Sequence, residues 1–231
     1  MNIGLYRSAV ALSQHEARLD AIAGNLANLS TVGFKRNLTA TQGIRQRRPS
    51  GPVQGLTTRT SVDFTQGNLL RTGRDMDLAL FGDGFFVVDG PTGELYTRAG
   101  SFQLTEEGVL TSEDGYPVSW TSNNRPIDPS GAPIQVDEEG NVRQGNDSIG
   151  QLRLAAFADK SRLRLAEDRY WVAAPNTPES TVEGKVQQYT LEASNATGVE
   201  EMVAMIALQR SFDSMRSVFQ GIEQTYRRLT R

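Results

Sequence analysis

Apolar residues recur every seven positions near the C-terminal end of the chain. Between residues 199 and 229 they form two interleaved sets, Met205, Phe212, Phe219 and Tyr226, and then Leu208, Met215, Ile222 and Leu229. Two apolar positions in each heptad are typical of a helix that packs along another helix in a coiled coil. Thr197 and Glu200 have the spacing of a capping box, which predicts that the helix starts here.

A second seven-residue spacing lies at the opposite end of the chain. It consists of Leu5, Leu12, Leu19 and Leu26 and predicts a helix from Asn2 to about residue 28. No other stretch has the pattern needed to pair with the C-terminal helix. The two terminal helices are therefore predicted to form a coiled coil.

Between the helices the pattern changes to short apolar runs separated by Asp-Gly and Glu-Gly steps. The runs cover 78–80, 85–88, 96–98, 102–104, 109–111, 152–157 and 170–174. Such punctuation indicates β-hairpins, so we predict a central antiparallel β-rich domain. The similar stretches 104–110 and 136–142 support repeated hairpins, whereas 159–168 is predicted as a turn or a short helix.

These patterns predict an α+β fold in three parts. Residues 1–29 plus 195–231 would form the helical coiled-coil domain, and 63–194 would form the β-rich domain. Residues 30–62 have little hydrophobic periodicity and are predicted to be an extended linker or a long exposed hairpin.

Charge is distributed unevenly between these parts. Residues 1–62 carry eight basic and two acidic side chains, whereas 63–198 carry 11 basic and 21 acidic ones. Opposite charges of this kind suit contact between unlike faces of neighbouring copies. Nucleic acid is a weaker interpretation, because the basic stretch 42–48 has no interleaved aromatic residues.

Residues suited to catalysis are scarce. The chain has no cysteine, and its only histidine, His15, lies on the predicted N-terminal helix, far from any candidate nucleophile. The step Gly82-Asp83-Gly84 leads into a strand and lacks the third glycine of a dinucleotide-binding loop. We therefore predict no catalytic, cofactor-binding or metal-binding residues and no enzymatic activity.

Acidic residues at the predicted hairpin turns leave one alternative of another class. Glu106 and Glu138 belong to clusters that resemble the carboxylate pairs of glycoside hydrolases, so a cell-wall carbohydrate-binding or hydrolysing module is the second hypothesis. Carboxylates beside turn glycines are more often simply solvated. No apolar run approaches the length of a membrane span, and the N-terminus lacks a signal-peptide pattern, so direct membrane insertion is not expected.

Several stretches resemble one known family. Residues 24–36 (GNLANLSTVGFKR) closely resemble the N-terminal signature of the bacterial flagellar rod and hook proteins. A central signature is matched by 82–88 (GDGFFVV), 96–103 (YTRAGSFQ) and 114–118 (DGYPV), and a C-terminal one by 191–195 (LEASN), 200–206 (EEMVAMI) and 209–212 (QRSF). The chain departs from the family at Gly24, where asparagine is usual, and at 196–198.

The resemblance implies a structural subunit of the flagellar basal-body rod. Such a subunit would be made in the cytoplasm, exported by the flagellar type III apparatus and assembled into a helical axial tube that spans the periplasm and transmits torque. Its partners would be other copies of itself, neighbouring rod proteins and the export apparatus. The short length and the segment 134–174 favour the proximal rod subgroup, with a distal rod or hook-like paralogue second.

The same resemblance gives the heptad residues a role. The terminal helices would line the tube, with the β domain outside. We expect the assembly residues to be Leu5, Leu12, Leu19, Leu26, Met205, Leu208, Phe212, Met215, Phe219, Ile222, Tyr226 and Leu229. Phe34 and the turn 25–35 are expected to connect the N-terminal helix to the linker.

Overall fold

The computed structural model describes the backbone of residues 3–48, 51–122, 125–167 and 169–229. Side chains are described for residues 12–42, 58–122, 125–167, 169–217 and 220. Two long helices flank a β-rich region, and they are α1 (Ile3–Ala27) and α2 (Gly198–Leu229). The strands are β1 (Asn37–Arg48), β2 (Gly51–Val62), β3 (Leu69–Arg71), β4 (Leu78–Phe81), β5 (Phe85–Gly90), β6 (Gly93–Thr97), β7 (Phe102–Leu104), β8 (Leu110–Ser112), β9 (Trp120–Ser122), β10 (Ile134–Val136), β11 (Asn141–Gln144), β12 (Asp147–Leu152), β13 (Leu154–Ala155), β14 (Leu163–Glu167), β15 (Tyr170–Ala173), β16 (Lys185–Gln188) and β17 (Thr190–Glu192).

This architecture confirms the predicted α+β class. The two terminal helices pack against each other, and the paired strands described between them are antiparallel. The chain divides into two compact units. The helical unit comprises 1–27, 37–63 and 196–231, and the β unit comprises 28–36 and 64–195. The predicted three-part division stays a prediction, but residues 28–36 have their contacts within the β unit.

In the helical unit, the heptad positions on α2 are the more buried ones. Met205, Phe212 and Met215 are half-buried and Leu208 is 9% exposed. The ring of His15 on α1 lies 4.8 Å from that of Phe212, so the histidine contacts the heptad face of α2.

The remaining predicted assembly residues are less uniform. Leu12 and Leu19 are 46% and 37% exposed, and Leu26 is half-buried. The side chains of Leu5, Phe219, Ile222, Tyr226 and Leu229 lie outside the described residues. The role in assembly predicted for all twelve residues therefore stays a prediction.

The hairpin β1–β2 completes the helical unit. Its twelve-residue strands pair in continuous register from Asn37 opposite Val62 to Arg48 opposite Gly51. Residues 37–48 and 51–62, which fall in the segment predicted to be an extended linker or a long exposed hairpin, form the strands of this hairpin. In the described residues, no helix is both long and apolar enough to cross a membrane.

The β unit is built around two larger sheets, with strand orders β13-β5-β6-β15-β14 and β10-β11-β12-β9. Its core is aliphatic and aromatic, and includes Leu78, Leu80, Phe86, Val88, Phe102, Ile127, Leu152, Tyr170 and Val186. The two similar stretches both form hairpins, β7–β8 and β10–β11, in which Gly108 and Gly140 have positive φ. The hairpin interpretation of the Glu-Gly steps is confirmed there.

Some strands were not predicted. Within 159–168 the structure has one turn of 3-10 helix, Lys160–Arg162, followed by β14, which pairs with β15. Two further pairs, β3–β17 and β4–β16, join segments more than 100 residues apart in sequence. They bring the end of the β unit back to its beginning, which positions the site described next.

Candidate functional site

Three stretches that are distant in sequence meet at one place in the β unit. Residues 28–36, termed here the N-terminal segment, lie against a surface that we call the signature slot. The slot is formed by Gly67, Arg98, Ala99, Glu192 and Asn195. The segment follows α1 in the chain, whereas Glu192 ends β17 and Arg98 follows β6.

Backbone hydrogen bonds hold the segment in the slot. The Gly33 amide donates to the carbonyl oxygen of Glu192 at 2.7 Å. The Arg36 backbone amide donates to Oδ1 of Asn195 at 2.7 Å, and the Asn195 backbone amide donates to the Phe34 carbonyl at 3.5 Å. Phe34 is only 4% exposed, so the segment also contributes an apolar anchor. This places the predicted helix-to-linker turn partly inside the β unit.

A buried ion cluster lies beneath these bonds. Lys35 Nζ is 2.5 Å from Glu192 Oε1, and both side chains are fully buried. Arg98 Nη1 lies 3.3 Å from Glu192 Oε2 and is almost equally buried. One carboxylate therefore faces two cations out of contact with water.

Further hydrogen bonds offset the free-energy cost of burying these three charged groups. Glu192 Oε1 also accepts from the Gly67 amide at 2.9 Å, and Lys35 donates to the Thr65 carbonyl at 2.7 Å. Arg98 donates to the carbonyls of Leu80 and Gly82 at 3.2 and 2.7 Å. Burial lowers the pKa of Arg98, and attraction to Glu192 opposes that shift. Such pairs are tolerated inside a protein only when their remaining polar groups are bonded in this way.

Glycine is required where the segment approaches the slot most closely. Gly33 has φ +71°, in the left-handed region, and a Cβ added there would lie 2.3 Å from the backbone nitrogen of Ala99. Both the conformation and the distance exclude a side chain. In the Val-Gly-Phe-Lys sequence of the segment, the glycine is therefore required by the close approach to Ala99, and the lysine forms the buried ion pair with Glu192.

The helical unit has a polar cluster of its own, which we call the helical clasp. Asn25 on α1 accepts from the Asn37 amide at 2.8 Å and donates to the Asn37 carbonyl at 3.0 Å. Its amide also donates to Glu201 Oε1 on α2 at 3.2 Å. Asn25 and Glu201 are each 1% exposed, so the clasp fixes both helices and the start of β1 together.

Sequence reasoning identified the stretches but not these contacts. Lys35, Arg98 and Glu192 were not singled out, because nothing local shows that their charges are buried and paired. The available signal was the position of each charged residue inside one of the three signatures.

The candidates for other chemistry lie elsewhere. Glu106 and Glu138 are exposed at hairpin turns, in agreement with the solvated-turn interpretation, and Glu138 pairs with Lys185. The side chains of Arg45, Arg47 and Arg48, on which the nucleic-acid interpretation depends, lie outside the described residues. Among the described side chains, no group of three or more His, Cys, Asp or Glu residues has the arrangement of a metal site.

Comparison with protein families matches the three signatures separately. Residues 5–35 match the family described as "Flagella basal body rod protein", and 79–144 match "Flagellar hook protein FlgE/F/G D1 domain". Residues 187–231 match "Flagellar basal body rod FlgEFG protein C-terminal". Lys35, Arg98 and Glu192 each fall in a different one of these three regions.

Relatives match along nearly the whole chain. The flagellar basal-body rod protein FlgF of Caulobacter vibrioides is 33% identical over 218 residues, which cover 90% of this chain and 89% of the relative. The chain belongs to the flagellar basal-body rod protein family. FlgF of Rhizobium meliloti is 33% identical with 96% and 94% coverage, and FlgG of Agrobacterium fabrum is 31% identical with 89% and 90% coverage.

Membership of the rod family establishes the broad function. The protein is a structural subunit of the flagellar basal-body rod and not an enzyme. The signature slot and the helical clasp are accordingly sites of structural chemistry. Each joins the N-terminal signature of the family to its C-terminal signature within one unit.

Proposed function

We propose that this rod subunit assembles through its terminal helices with other copies of itself and with neighbouring rod proteins. In this proposal α1 and α2 line an axial helical tube that transmits torque, and the β unit lies outside. The subunit reaches the rod through the flagellar type III export apparatus. Its length and the segment 134–174 favour the proximal rod subgroup over the distal one.

The observation that carries this proposal is a second apolar stripe on α2. Val199, Met202, Val203 and Ile206 have helical spacing and are 76%, 54%, 61% and 51% exposed. They lie beside the heptad face, which is directed to α1. A helix that is apolar on more than the face it buries is expected to bury the rest against further helices.

Charge at the stripe can test this proposal without disturbing the fold. In the double variant Met202→Glu and Ile206→Glu, both substituted side chains are already half or more exposed. We expect the folded chain to be retained and rod incorporation to be lost, because two carboxylates would be buried in the helix contact. Ser211→Glu is the control, because Ser211 is also exposed on α2 but lies on the side of the helix opposite Met202, and this variant should assemble normally.

Truncation provides the coarser test. A chain ending at Glu200 lacks nearly all of α2 but keeps every residue of the β unit. We expect no rods in cells that have only this chain, and a β unit that resists limited proteolysis. Rods built from the truncated chain would contradict assembly through α2.

A further inference from the structure

The N-terminal segment has the characteristics of a bound peptide. Its chain neighbours on both sides, 1–27 and 37–63, belong to the helical unit, so only these nine residues enter the β unit. They make a compact turn of their own, in which Thr31 Oγ1 donates to Asn28 Oδ1 at 2.9 Å and the Phe34 amide donates to the Thr31 carbonyl at 3.3 Å. A segment that holds its shape internally loses less conformational entropy on binding.

The slot has the matching characteristics of a receptor. Three slot groups accept hydrogen bonds from the segment: the Glu192 carbonyl from the Gly33 amide, Oδ1 of Asn195 from the Arg36 amide, and the Glu192 carboxylate from Lys35. With the segment in place Phe34 is 4% exposed, and the slot leaves no room for a side chain at Gly33. Recognition therefore combines backbone hydrogen bonds, one aromatic anchor, one charge and one position restricted to glycine.

We propose that the signature slot binds this nine-residue segment regardless of which copy supplies it. The partner is a second copy of this chain, whose residues 28–36 can occupy a slot from which the chain's own segment is withdrawn. In a single chain the tethered segment has an effective concentration in the millimolar range and excludes a competitor. When copies are packed side by side, a neighbour's segment reaches comparable concentrations, so exchange between copies becomes competitive.

The proposal concerns the slot alone and goes beyond assembly through α1 and α2. Its test reads slot occupancy in the isolated chain, so failure would leave the proposed function untouched. The probe for the second copy is a fluorescein-labelled synthetic peptide with the sequence NLSTVGFKR. Binding is followed by fluorescence anisotropy.

The full-length Gly33→Ala chain supplies an empty slot, because its own segment no longer fits beside Ala99. We expect the peptide to bind this chain saturably and to bind the wild-type chain at least tenfold more weakly. Gly24→Ala is the matched control, since an added Cβ there meets nothing within 4 Å, and it should behave as wild type. A peptide with Lys35→Met should lose at least tenfold in affinity.

Two results would overturn the proposal. One is a folded Gly33→Ala chain that fails to bind the peptide, and the other is equal binding to wild type. If Gly33→Ala does not fold alone, the peptide is added during refolding and tryptophan emission is recorded. Recovery of the wild-type spectrum would support the proposal, and a spectrum unchanged by the peptide would refute it.

Discussion

The buried carboxylate of Glu192 makes the strongest prediction about stability. Glu192→Gln preserves the shape of the side chain but removes the carboxylate that forms ion pairs with both Lys35 and Arg98. Breaking a buried ion pair by removing one partner costs about 3–5 kcal/mol, because the remaining charge stays buried. Here two buried cations lose the same ion-pair partner, and the hydrogen bond from the Gly67 amide is weakened as well.

Urea unfolding followed by tryptophan fluorescence measures this cost. Both tryptophans, Trp120 and Trp171, belong to the β unit, so the signal reports the unit that contains the cluster. With a urea m-value of about 2 kcal/mol/M, the midpoint should fall by roughly 1.5–2.5 M. The control is Glu138→Gln, whose partner Lys185 is well exposed, and its midpoint should match wild type.

A double-mutant cycle identifies the cause. Adding Lys35→Met to Glu192→Gln removes one of the two cations that pair with Glu192, so the double variant should be less destabilised than the sum of the single variants. The reasoning would be refuted if Glu192→Gln unfolded within about 1 kcal/mol of wild type. Strict additivity in the cycle would refute the direct coupling of Lys35 to Glu192.

Three further predictions follow from other contacts. Asn25→Ala should lower the unfolding free energy of the helical unit by about 1–3 kcal/mol, because Glu201 loses a buried hydrogen-bond partner. Thermal unfolding followed by circular dichroism at 222 nm measures this loss, and an unchanged midpoint temperature would contradict the prediction. Burial raises the pKa of Tyr96 to about 12 from an ordinary value of 10. The folded state therefore favours the neutral phenol, and the resulting stabilisation is complete below pH 10 and is lost as pH rises towards 12. In this window the urea midpoint of Tyr96→Phe should fall less steeply with pH than that of wild type, and identical slopes would contradict the assignment. Gly67→Ala should destabilise the β unit by about 1–3 kcal/mol, because the added Cβ would lie 2.0 Å from the Ala193 carbonyl oxygen, whereas Gly24→Ala in the open part of α1 should be neutral or stabilising by up to about 1 kcal/mol in the same thermal or urea titrations.

The features predictable from the sequence were those encoded over short distances. The heptad spacing around Leu208 and Phe212 predicted α2, and the Glu-Gly steps at Gly108 and Gly140 predicted two hairpins. In each case the pattern and the structure it forms span fewer than about 35 residues. Local periodicity and turn chemistry were therefore sufficient.

The signature slot could not be predicted in the same way. Lys35 and Glu192 are 157 residues apart, and their pairing depends on β3–β17 and β4–β16 closing the β unit. A lone lysine after a phenylalanine is usually solvated, so its sequence context gives no sign of burial. β14 was missed for a related reason, since its exposed residues gain strand structure from pairing with β15.

The central claim is that the terminal helices of this chain build the rod. A density map of the intact basal body, at a resolution that shows side chains, tests it most directly. We expect α1 and α2 of each copy to line the tube, with Met202 and Ile206 buried against a helix of an adjacent subunit and the β unit outside. A rod in which the β units make the axial contacts, while the apolar stripe on α2 faces solvent, would contradict this account.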